Sequence, residues 1–309
     1  MQHHATATGL GPATSLSGTA TLRRQKQREY LRFIYPTIFL VGLFSFLPLV
    51  GMLALSLTDY HLINGWGGTW GLQNFARLVL DARFLNSIYV MLALSIGGVA
   101  VQLLVGTAIA VGLDQIVPRW KIARGFFTIP FAVPHVAVAL VWLSLFTPTL
   151  SPINAALDAV GLPQPTWFSS QTGAISAIVI ADTWANFPFV MLLILAALQG
   201  VPRDLKEAAA IDGASQLRTF FVITLPLLKP ALLLVTLFRF IETLKHFPLI
   251  YVMTKGGPGR STQATNYYAY VQSFENSNVS YGAAISVTLF IFAGFASFWV
   301  ARINSRINS

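Results

Sequence analysis

Six stretches of this chain are each long and apolar enough to cross a bilayer: residues 33–57, 86–113, 122–146, 174–198, 225–253 and 281–301. A hydrocarbon core needs about 20 apolar residues to be crossed by a helix. Within lipid every backbone N–H and C=O must find its partner inside the segment, so each stretch is expected to be helical. The short alternating segments of a membrane barrel are not seen. Only 10% of the 309 residues are charged, against about 25% in soluble domains. Length alone would suit roughly two soluble domains. The composition points instead to one all-α integral membrane unit with six transmembrane helices. The expected layout is a disordered basic tail at 1–32, a first transmembrane helix at 33–57, a five-helix core at 82–302 that includes a polar loop at 200–226, and a short tail at 303–309.

The flanking charges orient the spans. Residues 1–22 carry no Lys, Arg, Asp or Glu and are rich in Thr, Ala, Gly and Ser, which reads as disorder. A basic segment running directly into an apolar one at the extreme N-terminus is missing, so no cleavable leader is expected. Arg23, Arg24, Lys26, Arg28 and Arg32 instead precede the first span, which reads as an uncleaved anchor. With the N-terminus inside, these five join Arg119, Lys121, Arg124, Arg203, Lys206, Arg218, Lys229, Arg302 and Arg306 on the cytoplasmic side. Only Arg77, Arg83, Lys255 and Arg260 fall in outer loops. Fourteen cations against four place both termini in the cytoplasm. The net charge of +9 therefore marks a membrane topology and not a nucleic-acid surface. Trp66, Trp70, Trp167 and Phe168 in the outer loops are expected at the headgroup layer.

The polar loop has the marks of two short helices. Pro202 suits a first helical turn, where its missing N–H costs nothing. Residues 203–211 are good helix formers, and Asp204 complements the positive end of the helix dipole. Gly213 permits a sharp left-handed exit, Ser215 can cap a second helix, and Leu225-Pro226 leads into the next span. A helix of about 10 residues, roughly 15 Å long, is marginal alone in water and needs a surface to dock on. Leu205, Ala208, Ala209 and Asp212 share one face by their spacing, and small side chains there let another backbone approach. The residues alone leave two uses open: a helix seated in a partner's groove, or an amphipathic connector resting on the membrane or its own bundle. Glu207 pairing with Arg203 would add only ~0.3–0.5 kcal/mol.

Glu207-Ala208-Ala209, Asp212-Gly213-Ala214 and Ile223-x-Leu225-Pro226 together resemble the EAA loop of bacterial ABC importer permeases. Trp184, Pro188-Phe189, the run from Leu195 to Gln199, Val201-Pro202, Gly256-Gly257-Pro258-Gly259 and Tyr281-Gly282-Ala283-Ala284 extend the likeness over residues 33–302. As a set they are similar to the carbohydrate-uptake permeases of the maltose-permease type. The resemblance implies the type I importer permease fold in a bacterial inner membrane and transport of a sugar or sugar derivative. It implies a heterodimer with a second permease, two cytoplasmic ATPase subunits that hold ATP and Mg, and an external solute-binding protein. This chain would bind no cofactor. Glu207, Ala208, Ala209, Asp212 and Gly213 would couple it to the ATPases. The glycine-rich loop is typical of the subunit type with an extra N-terminal helix. Residues 1–22 fall outside the pattern, and the short outer loop at 58–85 lacks the large extra domain of some such subunits.

Polar residues inside the spans mark a second region. Arg239, Glu242, Lys245 and His246 fall in the fifth span. A charge at mid-bilayer costs ~2.5–3.5 kcal/mol on insertion scales, so these groups must face the bundle, a wet cavity or one another. Arg239, Glu242 and His246 share a face at spacings of 3 and 7. The patch reads either as an ion pair of Glu242 with Arg239 or Lys245 holding helices together, or as the lining of a substrate pathway. Its one excess cation is compatible with an anionic sugar derivative. Asp182 and Asn186, one turn apart in the fourth span, either line the same cavity or pair with a neighbouring helix. His135 is expected to be a hydrogen-bonded bundle residue. Pro130 and Pro134 in the third span, and Pro226, Pro230 and Pro248 in the fifth, should kink their helices, and broken helices line many substrate cavities.

No catalytic residues are expected. No Gly-Lys dipeptide occurs, so there is no GxxxxGK[ST] phosphate loop. HExxH and GxSxG are also missing. With no cysteine and five histidines, two of them near the N-terminus, no metal site is expected either. The alternative to an ATPase-driven permease is a self-sufficient ion-coupled carrier relaying charge through Glu242, Asp182 and Arg239. It leaves the 207–226 loop without a purpose.

Overall fold

The computed structural model describes residues 16–116, 121–147 and 151–307. It divides into one unit up to Gly51 and a second from Met52 onward. Helix α1 covers Leu16–Ser56. Residues 16–32, expected to be disordered, are therefore helical, and residues 1–15 lie outside the described part. The run Leu22-Arg-Arg-Gln-Lys-Gln-Arg-Glu29 is made of strong helix formers, a propensity that outweighs its low hydropathy.

In the second unit, the loop expected after the first span holds a hairpin of β1 (Thr58–His61) and β2 (Gly65–Trp70), which the span pattern did not indicate. Tyr60 pairs with Trp66 and His61 with Gly65, whose φ of 72° turns the chain. Trp66 and Trp70 lie edge to face at 6.2 Å, both exposed. Helices α2 (Gln73–Leu80), α3 (Ala82–Ile116) and α4 (Lys121–Thr128) follow, and then a 3-10 turn at Ile129–Ala132 leads to α5 (His135–Phe146). Beyond α6 (Pro152–Ala159) comes α7 (Gln171–Leu198), which starts where Ser170 Oγ accepts the Gly173 N–H at 3.1 Å. Next are α8 (Arg203–Ile211), α9 (Gln216–Thr219) and α10 (Leu225–Thr243), then α11 (Thr265–Tyr270) and α12 (Val279–Ile307). Residues 303–307, expected as a separate tail, continue α12.

Five helical stretches are long and apolar enough to span a membrane: Ile34–Ser56, Ala82–Asp114, Gln171–Leu198, Gln216–Thr243 and Val279–Trp299. A sixth is a pair, Gly125–Ala132 and His135–Phe146, bent by 98°. The expected third span at 122–146 is thus broken, not merely kinked. Val133 precedes Pro134 and takes φ −82°, ψ 129°, the extended conformation that a following proline ring imposes.

The fifth span also departs from the expected 225–253. It runs from Gln216 through a π-helical widening at Phe220–Thr224 into α10 and stops at Thr243. The widening sits just ahead of Pro226 and Pro230, whose rings crowd carbonyls four residues earlier. Pro248 follows the stop, and a separate turn at Ile250–Thr254 ends with Lys255 in the left-handed region at φ 49°. Lys245 and His246 therefore lie in the break after α10 and not on a continuous helical face.

The core is organised along α7. One end packs Ala177, Ile178 and Ala181 against Met91 and Leu94 of α3, Val138 and Phe146 of α5, and Leu249 and Ile250. The other packs Val190, Met191 and Ile194 against Ala110 and Leu113 of α3 and Leu228 and Val235 of α10. A Cβ on Gly106 would lie 2.6 Å from Val190 Cβ, so α3 and α7 approach only because that position has no side chain. Trp167, expected at the membrane surface, is buried. Its ring lies 4.4 Å from that of Phe146, and its indole N–H donates to Asn154 Oδ1 at 2.7 Å. A satisfied indole has no need of the headgroup layer.

Asp81, between α2 and α3, ties both to α11 and α12. Tyr268 and Tyr281 donate their hydroxyls to its Oδ2 at 2.6 and 2.5 Å. Burial works to raise the Asp81 pKa, but the two hydroxyls and the N–H groups of Arg83 and Phe84 outweigh it and hold the carboxyl below its ordinary value. Burial and the adjacent carboxylate push the Tyr268 hydroxyl up to about 12.

Candidate functional site

The breaks in the third and fifth spans open onto one cavity of about 690 Å³. All six polar residues singled out in the spans line it: Asp182, Asn186, Arg239, Glu242, Lys245 and His246. His135 lines it too, at the first turn of α5. It is exposed, in contrast to the bundle histidine expected. Phe131, Phe189 and Phe238 supply apolar walls, with the Phe131 and Phe189 rings stacked at 5.9 Å.

Asp182 is the hub of a buried network. The Gln102 side-chain amide donates to its Oδ2, and Asn186 Nδ2 donates to Oδ1 at 2.8 Å. Arg239 Nη2 lies 3.9 Å from Oδ2, while Arg239 Nε donates to Gln102 Oε1 at 2.8 Å. His246 Nε2 stands 2.9 Å from Oδ1, and its buried Nδ1 has no hydrogen-bond partner among the described residues. Three helices and the break after α10 thus meet at one carboxylate. Gln102 thus bridges the acid and the guanidinium, donating to one and accepting from the other, and a charge so deeply buried requires such partners. Asp182 meets both uses expected of it, lining the cavity and pairing with neighbouring helices, but its partner there is Arg239, which was expected to join Glu242. Glu242 instead accepts from Lys245 at 3.2 Å, with both side chains more than half exposed. Gln102 was missed, although a lone glutamine between Val99 and Leu104 in an apolar span is a signal of its own. Among the described residues, no group of three His, Asp or Glu side chains is placed to hold a metal ion.

The second region is α8. Pro202 is its N-cap residue and not its first turn, at φ −57° and ψ 129°. The helix ends in a Schellman motif, with the Ala214 N–H bonding Ala209 O at 2.9 Å and the Gly213 N–H bonding Ala210 O at 3.1 Å. Gly213 takes φ 77°, as its identity predicts. Ser215 Oγ accepts the Arg218 N–H at 3.3 Å and caps α9. Of the four residues expected on one free face, Leu205, Ala208 and Asp212 are exposed, but Ala209 is buried against its own chain. Ile211 and Leu217, not foreseen, are 87% and 72% exposed and make the neighbourhood apolar. Lys206 Nζ pairs with Asp114 Oδ2 at 3.2 Å and fastens α8 to the end of α3. A cleft of about 360 Å³ beside this tether is lined by Leu198, Gln199, Arg203 and Glu207.

Residues 103–309 match the profile of a family described as binding-protein-dependent transport system inner membrane component. The chain is 33% identical over 273 residues to the trehalose/maltose transport system permease protein MalF of Thermococcus litoralis, covering 88% of this chain and 92% of that protein. It is 31% identical over 257 residues to the sulfoquinovosyl glycerol transport system permease protein SmoG of Agrobacterium fabrum, covering 82% and 83%. To the sn-glycerol-3-phosphate transport system permease protein UgpA of Yersinia enterocolitica it is 36% identical over 227 residues, covering 72% and 75%. The fold is similar to that of a bacterial ABC transporter involved in the import of the acidic polysaccharide alginate, with a TM-score of 0.75 at 19% identity over 94% of this chain and 100% of the other.

Proposed function

The chain belongs to the family of binding-protein-dependent transport system inner membrane components, and on that footing we propose a division of labour within it. It is the permease subunit of an ATP-driven importer, with several membrane-crossing helices. Its solute is a sugar or sugar derivative, by analogy with relatives named for trehalose and maltose, sulfoquinovosyl glycerol and glycerol phosphate. Its energy comes from two cytoplasmic ATPase subunits, which carry the ATP and Mg. A second permease completes the pathway, and an external binding protein delivers the solute. Both termini and α8 face the cytoplasm, in line with the cation bias of the loops. Asp182, Asn186, Arg239, Glu242, Lys245 and His246 line this subunit's share of the pathway.

One observation carries the reading: α8 is a short rod, closed at its C-terminal end by the Schellman motif, with an exposed apolar flank of Leu205, Ala208 and Ile211. A nine-residue helix is stable on its own only with difficulty, and a groove on an ATPase is the partner surface that accounts for that flank. Glu207, Ala208, Ala209, Asp212 and Gly213 form the coupling element. ATP binding draws the ATPases together, and the rod passes that displacement to the spans as a two-state element biased from a distance. The ion-coupled carrier gives no purpose to this rod, and the family is one of ATP-driven systems.

The chain has no cysteine, so single thiols report cleanly. Ile211→Cys or Ala208→Cys, labelled with a thiol-reactive photocrosslinker in membranes holding the whole transporter, should join this chain to an ATPase subunit. The buried position in Ala209→Cys should not. Adducts confined to lipid or to the chain itself at all three positions overturn the assignment.

A further inference from the structure

Relatives of this chain are named both for uncharged sugars and for solutes bearing phosphate or sulfonate groups, so membership alone does not decide the charge of the cargo. From the pairing of the cavity's own charges we infer that this permease passes an uncharged saccharide. The inference rests on the reading that this cavity is the solute pathway.

The described lining carries two carboxylates, Asp182 and Glu242, and two cations, Arg239 and Lys245. Including Asp182 removes the excess cation that the fifth span alone suggested. Each cation already has its carboxylate. Arg239 is held by Asp182 and by Gln102, and Lys245 by Glu242 at 3.2 Å. His246 stands against the same acid, its Nε2 2.9 Å from Asp182 Oδ1. An anion entering here meets no uncommitted guanidinium or ammonium. It must either take Lys245 from Glu242, stranding that carboxylate beside it, or lie among two acids whose charge is already matched. Like charges brought together on binding oppose it and discriminate against such a solute.

The remaining surface suits a neutral polyol ring. Phe131, Phe189 and Phe238 line it with apolar ring surface, against which the C–H groups of a pyranose can pack. The exposed heads of Glu242 and Lys245 offer an acceptor and a donor side by side, the pattern that hydroxyl groups satisfy in both senses. A mostly apolar, aromatic wall with a few fixed polar groups is the usual construction of a small-molecule site.

The test uses intact cells. Cells lacking the gene and their parent are grown in medium containing maltose, trehalose, raffinose, sn-glycerol 3-phosphate and oligogalacturonate, and depletion of each solute is followed by mass spectrometry. Loss of uptake confined to uncharged saccharides supports the inference. Loss of an acidic solute overturns it and leaves the pathway reading standing, whereas uptake of every solute unchanged counts against sugar import itself. In a second arm Glu242→Gln frees Lys245. Acidic solutes should then inhibit uptake of the neutral saccharide about two- to fivefold more strongly, the scale of an exposed ion pair. Inhibition identical to that of the natural chain removes the pair from the solute's path.

Discussion

Asp182 and Arg239 meet at 3.9 Å with 1% and 6% of their side chains exposed, whereas Glu242 and Lys245 meet at 3.2 Å with 57% and 68% exposed. Both pairs border the same cavity, and Arg239 and Glu242 are three residues apart on α10. Distance alone would rank the second pair higher. Burial reverses the order. A pair out of water depends wholly on its partners, and removing one leaves a stranded charge. A pair at a wet surface is screened, and each member can turn to solvent or solute at little cost. The cavity therefore has a fixed wall and an adjustable one. The fixed wall joins α3, α7 and α10, and the adjustable one lies at the end of α10 where the chain breaks.

The largest effect expected is from Asp182→Ala, which strands Arg239 and should cost ~3–5 kcal/mol. Thermal unfolding of the detergent-purified transporter, or its level in the membrane, reads this directly. A melting curve like that of the natural chain would erase the distinction between the two walls. Joining Asp182→Leu with Arg239→Met should recover much of the loss, with a coupling energy of about 1–3 kcal/mol by double-mutant cycle. Additive losses would mean that the two residues stabilise the fold separately. Gln102→Leu should cost ~1–3 kcal/mol, because Arg239 loses its acceptor and Asp182 a donor while the charges remain. Least of all, Glu242→Gln should change unfolding by less than about 1 kcal/mol while altering the kinetics of solute uptake. A large stability loss with unaltered uptake would turn the adjustable wall into a second fixed one.

Much of this arrangement was legible in the chain because membranes impose strict rules. Four of the six spans to within four residues, the φ of Gly213 and the cap at Ser215 follow from single residues or from counts of apolar ones. The cavity polar residues were legible as a set, since charge within a span must find a polar setting. Their pairing was not. Arg239 bonds Gln102, 137 positions away, and no local spacing encodes that. The reach of His246 into the cavity depends on the stop at Thr243, which a helical wheel extended to residue 253 misses. The severity of the bend at Val133-Pro134 was likewise hidden, because proline announces a break and not its angle. At α8 the wheel placed Ala209 with its neighbours, and only packing against the rest of the chain turned it inward.

Helix α3 has a role that its apolar sequence does not advertise. It holds Gln102 in the buried network and Asp114 in the tether to Lys206, and no proline or break interrupts it between them. Twelve residues of α-helix set those points about 18 Å apart. They form a strut without a joint, so a load on Lys206 bears along its axis on the residue that bridges Asp182 and Arg239.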